Sequence, residues 1–90
     1  MSKQINNIDS DLLAIKSLFE AGLVQKMRLL EEQAPTKMAK LLGLNYNSYH
    51  DKLINPEKFT IRHILLIAKL CNLDANIIFE VVKNEVKNKI

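Results

Sequence analysis

Ninety residues are enough for one hydrophobic core and too few for two independent ones. Two Gly, two Pro and no Trp, against many Leu, Ile and Ala, argue for helices and against a turn-rich sheet architecture. The net charge of +3 is modest but unevenly spread, because residues 35–70 carry Lys37, Lys40, Lys52, Lys58, Arg62 and Lys69 against only Asp51 and Glu57.

Four helix starts share one pattern: an apolar residue, a capping residue, and a second apolar residue five positions after the first. They are Ile8/Asp9/Leu13, Leu44/Asn45/Tyr49, Phe59/Thr60/Ile64 and Leu73/Asp74/Ile78. In each, a side-chain oxygen can accept an orphan N–H of the first turn while the apolar pair sets the entry angle. The pattern predicts a first helix over about residues 10–21, with Ile8, Leu12, Ile15 and Phe19 on one face and Gly22 as a left-handed stop. A second helix is expected over about 24–33, sending Leu23, Met27 and Leu30 toward the core and ending before Pro35. A third covers about 36–42 and stops at Gly43, and a fourth runs over about 46–54 until Asn55-Pro56 breaks it. A fifth spans about 61–71 and a sixth about 75–88. With no repeat and no long linker, residues 1–90 read as one domain, an all-α compact bundle of five or six helices.

The stretch from 35 to 54 is the informative one: Pro35-Thr-Lys-Met-Ala-Lys-Leu-Leu-Gly43-Leu-Asn-Tyr-Asn-Ser-Tyr-His-Asp-Lys-Leu-Ile54. Two short helices crossing through a tight turn need a small residue where backbones approach, supplied by Ala39, and a residue tolerant of positive φ where the first ends, supplied by Gly43. Met38, Leu42, Tyr49 and Leu53 then point inward at helical spacing, and Asn45 caps the second helix.

These residues resemble the helix-turn-helix family of the lambda-repressor and Cro type, also called XRE-like. Met38-Ala39-Lys-Leu-Leu-Gly43-Leu44 is similar to the family's scaffold helix and turn, and residues 45–54 to its recognition helix. The segment from Phe59-Thr60 through Ala68 to Asp74 is similar to the helix that follows. The chain departs from the family at three places. Thr36 or Lys37, and Tyr46, stand where Gln is frequent; Asn55-Pro56-Glu57 replaces a common Glu-x-Gly; and the last inward position moves from Lys52 to Leu53.

The resemblance implies sequence-specific binding of double-stranded DNA as a small transcriptional regulator, with the helix over 46–54 in the major groove. If Tyr49 and Leu53 face the core, Asn47, His50, Asp51 and Ile54 face outward. Asn47 is then the foremost base reader, since its amide matches the N6 and N7 edge of adenine; beside it His50 can donate to guanine or to a phosphate, and Tyr46 can present its hydroxyl to the DNA or pack against Leu42. Thr36, Lys37, Lys40, Asn45, Ser48, Lys52, Asn55, Lys58 and Arg62 are the expected phosphate contacts, because helix starts and adjoining loops border the groove. About four neutralised phosphates predict a log K against log salt slope near −3.6 per chain. Asp51 is the discordant residue, being repelled by DNA unless it accepts from cytosine or pairs with a cation.

Such proteins bind two-fold sites as homodimers; the last helix offers Ile77, Ile78, Val81, Val82, Val86 and Ile90, some to seal the core and the rest to form the expected symmetric contact. The rival reading is a helical protein-interaction module, an antitoxin or adaptor, that keeps the fold without reading DNA. An enzyme is not expected: His50 and His63 are not spaced as metal ligands, no Gly-rich phosphate loop occurs, and no cofactor, metal or small-molecule ligand is implied. Cys71, the one cysteine, reads as a small buried hydrophobe. The longest apolar run, residues 64–68, is far below the roughly 20 residues of a membrane span, and the start shows no apolar leader, so a cytoplasmic location is expected.

Overall fold

The structure, a computed structural model, describes residues 10–90. Its α-helices are α1 (Ser10–Glu20), α2 (Pro35–Leu41), α3 (Tyr46–Ile54), α4 (Ile61–Cys71) and α5 (Ala75–Lys89), with 3-10 segments at Met27–Glu32 and Pro56–Lys58 and no strand among the described residues. The architecture is an all-α bundle.

Local chemistry accounts for the helix boundaries. Asn45 Oδ1 accepts the Ser48 N–H at 2.8 Å, Thr60 Oγ1 the His63 N–H at 3.1 Å, and Asp74 Oδ1 the Asn76 N–H at 2.9 Å, so three expected caps each satisfy a donor left open by the first turn. At α4 the pairing is reciprocal, since Thr60 N–H donates to His63 Nδ1 at 3.3 Å. The fourth expected cap, Asp9, and its neighbour Ile8 lie outside the described residues.

Three helix ends use left-handed residues. Gly43 has φ +73°, and the Leu44 N–H reaches back to the Ala39 carbonyl at 2.9 Å while the Gly43 N–H reaches Lys40 at 3.0 Å. This double closure reverses the chain between α2 and α3 in four residues. Gly22 closes α1 the same way, with Leu23 N–H on the Leu18 carbonyl at 3.0 Å. Asn72, at φ 54°, does so after α4, where the Leu73 N–H meets the Ala68 carbonyl at 2.8 Å.

The second expected helix is corrected. Residues 24–33 are not α-helical: Lys26 is extended at φ −137° and offers no side-chain cap, and the six residues Met27–Glu32 form a 3-10 segment. Its start is capped from a distance, the Met27 N–H donating to the Glu85 carboxylate of α5. Three residues per turn place Met27 and Leu30 in line, and both are fully buried. Leu23, expected in the core, is 60% exposed, and Val24 is buried in its place. Pro35 begins α2 at N1, one residue earlier than expected, after Ala34 turns the chain in a left-handed conformation.

The core gathers Leu12, Ile15 and Phe19 from α1, Met38 and Ala39 from α2, Tyr49 and Leu53 from α3, Ile64, Ile67, Ala68 and Cys71 from α4, and Ile78 from α5. Helix α4 packs on α1 and α5, whereas α3 is held by α2, by the Met27–Glu32 segment and by Pro56–Lys58. That sandwiching leaves one flank of α3 at the surface. No helix among the described residues is long and apolar enough to cross a membrane.

Candidate nucleic-acid interface

Helix α3 divides cleanly by exposure. Tyr49 and Leu53 are fully buried, while Tyr46, Asn47, His50 and Ile54 are exposed and Ser48, Asp51 and Lys52 half-buried. The inward shift from Lys52 to Leu53 is therefore present, and the outward strip is Asn47, Asp51 and Ile54, with His50 on one flank and Ser48 on the other.

The 3-10 segment reaches one flank. Glu31 accepts a hydrogen bond from the Tyr46 hydroxyl on one carboxylate oxygen and from His50 Nδ1 on the other, the latter at 3.0 Å. Tyr46 and His50 stack, with ring centroids 6.0 Å apart and planes 20° off parallel. Burial pulls the Glu31 carboxyl upward, but the hydrogen bonds from Tyr46 and His50 outweigh it and leave the group below the usual glutamate range. The same bond to Glu31 raises the Tyr46 phenol above the ordinary tyrosine value. The phenol proton of Tyr46 is thus engaged within the chain and is not free for DNA while this contact stands.

A second network closes the C-terminal end of α3. Lys58 Nζ pairs with Asp51 Oδ2 at 2.8 Å, and Asn55 Nδ2 donates to Asp51 Oδ1 at 3.1 Å. The hydrogen bond from Lys58, then that from Asn55, lowers the Asp51 carboxyl, and Lys58 is raised in return. Lys89 of α5 completes it, meeting Glu57 at 3.0 Å, Asn55 Oδ1 at 3.3 Å and the Ile54 carbonyl at 3.4 Å. Asn55 is therefore spent on both edges of its amide. Asn45 has its oxygen committed to the helix cap.

Lys37, expected at a phosphate, pairs with Asp11 at 3.2 Å. Thr36, Lys40, Asn47 and Arg62 are exposed and Ser48 and Lys52 half-buried, with no side-chain hydrogen bond or ion pair among the described residues. Lys52 and Arg62 lie close enough to His63 for both charges, after burial, to lower its pKa, which joins the C-terminal half of α3 and the start of α4 in one positive region. Of the residues expected from sequence, Thr36, Lys40, Asn47, Ser48, Lys52 and Arg62 thus have no side-chain partner among the described residues, whereas Lys37, Asn45, Tyr46, His50, Asn55 and Lys58 have partners inside the chain.

Residues far apart in sequence that shape this surface, Glu31 and Lys89, escaped the sequence reading because nothing in their neighbourhood signals a contact 15 to 35 residues away. In α5, Ile78 is fully buried and Ile77, Val81 and Val82 pack on the core, so most of this apolar set seals the chain's own core; Ile90 alone of it is fully exposed. Cys71 is buried in the core. Among the described residues no three His, Cys, Asp or Glu side chains converge as a metal-binding set.

No family model, curated protein or solved structure matches the chain.

Proposed function

We propose that the protein is a small transcriptional regulator that binds double-stranded DNA sequence-specifically, with α3 as the recognition helix of an XRE-like helix-turn-helix and α2 as its scaffold. The observation that carries this reading is Asn47: it stands exposed and without a side-chain partner among the described residues, on a helix whose opposite stripe, Tyr49 and Leu53, is anchored in the core. A rigidly held helix presenting an unengaged amide is what bidentate reading of an adenine edge requires. Lys40, Lys52 and Arg62 supply charge for the phosphates on either side. The closed turn at Gly43 and the buried Ala39 support the same reading, since they let α2 and α3 approach closely.

With Lys37 and Lys58 paired inside the chain, three cations remain to neutralise one phosphate each, so log K should fall with log salt at about −2.7 per chain. Selection of bound sites from a random duplex pool, followed by titration at several salt concentrations, tests this. One α3 reads too few base pairs for unique recognition, so a second copy and a two-fold consensus belong to the proposal, as does a cytoplasmic location with the DNA. Sedimentation at the concentration of half-saturation checks the second copy. A second reading, a protein-interaction module of the antitoxin or adaptor kind, is favoured by the two carboxylates Glu31 and Asp51 against α3. Absence of any salt-dependent binding to duplex DNA would move the balance to it.

A further inference from the structure

We propose that Glu31 is a specificity-determining positioning residue that holds the neutral imidazole of His50 as its Nδ1–H tautomer and so makes Nε2 a hydrogen-bond acceptor toward the base edges. This rests on α3 reading DNA. An ionised carboxylate only accepts, so the 3.0 Å contact between Glu31 Oε1 and His50 Nδ1 requires the proton on Nδ1. In a neutral ring the other nitrogen then carries the lone pair. Turning the ring over would exchange Nδ1 for carbon and break that bond. The stacked Tyr46, held by the second oxygen of the same carboxylate, lies against the ring face and opposes such a turn.

His50 is three residues after Asn47, hence on the adjoining strip of α3, where a side chain meets the next base step. An acceptor there selects the exocyclic amine of cytosine or adenine and disfavours guanine, whose major-groove edge presents only acceptors. A free histidine at the same place would carry no such preference, since it can offer either tautomer. Glu31 thus acts through His50 without touching DNA itself.

Nitrogen-15 NMR of the imidazoles in alkaline buffer reads the tautomer directly, with His50→Gln identifying the resonance. The expected result is Nδ1–H at His50 in the wild-type chain and a loss of that bias in Glu31→Ala, which removes the acceptor and whose helical circular dichroism should be unchanged. Site selection with both proteins is then expected to show one position where wild type prefers cytosine or adenine over guanine by about tenfold and Glu31→Ala does not. An Nε2–H tautomer in the wild type overturns the inference whatever the DNA result. Nδ1–H with a selected site that is identical in Glu31→Ala overturns the specificity role and leaves DNA reading intact. Nδ1–H with no selected site and no salt-dependent binding overturns both.

Discussion

Lys58 Nζ lies 2.8 Å from Asp51 Oδ2, which makes the single acidic side chain of α3 one half of an ion pair. The residue that speaks against DNA binding in the sequence is therefore paired with a cation expected at a phosphate. Both expectations change together.

Replacing Asp51 by Asn should release Lys58 toward the phosphates. Affinity is expected to rise for all duplex sequences alike, and the salt slope to steepen by about 0.9, the contribution of one additional neutralised phosphate. Fluorescence anisotropy at several salt concentrations measures this. A selective loss at one base position would instead assign Asp51 to a cytosine amine.

Asn47 and the unpaired cations should separate in their effects. Asn47→Ala is expected to cost roughly 1–3 kcal/mol on the selected site and little on scrambled duplex. Lys40→Ala, Lys52→Ala and Arg62→Ala should each weaken both duplexes by the same factor. Competition between selected and scrambled DNA distinguishes the two classes, and equal losses for Asn47→Ala on both would remove it from the reading face.

Tyr49 is fully buried, and its hydroxyl has no hydrogen-bond partner among the described residues. Burial pushes the phenol far above the ordinary tyrosine range. An unsatisfied buried hydroxyl opposes folding, so Tyr49→Phe, which keeps the ring and its packing, should stabilise the chain by about 1 kcal/mol. For a domain of this size that corresponds to a rise in Tm of about 4–8 °C. A lower Tm would mean that the hydroxyl is bonded after all.

His63 makes stability depend on pH. Burial, then the charges of Lys52 and Arg62, lowers its pKa from 6.5, and its Nδ1 accepts from Thr60 N–H only while unprotonated. Below 6.5 the unfolded chain binds the proton more readily than the folded one. The stabilisation is thus complete above that pH and is lost as pH falls through the lower folded value. Asp51, Glu57 and Glu31, all lowered, add a second loss of the same sign at more acid pH. Thermal melts from pH 8 downward should show the earlier decline in wild type and not in His63→Gln, which keeps an acceptor oxygen for the Thr60 amide.

What the amino-acid order determined unaided was whatever depends on neighbours within a turn or two. The caps at Asn45, Thr60 and Asp74, the left-handed stops at Gly22 and Gly43, and the inward pairs Met38/Leu42 and Tyr49/Leu53 all rest on spacings of two to five residues. Such interactions form wherever the segment is helical, so periodicity and residue type suffice to read them. Tertiary structure alone decided the state of residues 24–33, where the Met27 amide finds its acceptor 58 positions on, at Glu85, and six residues tighten into a 3-10 turn. It likewise decided which polar side chains of α3 are available, because Glu31, Lys58 and Lys89 reach them from other elements. The physical reason is one of range: a charge acts on whatever packing brings within a few ångströms, and no local pattern encodes which distant segment that will be.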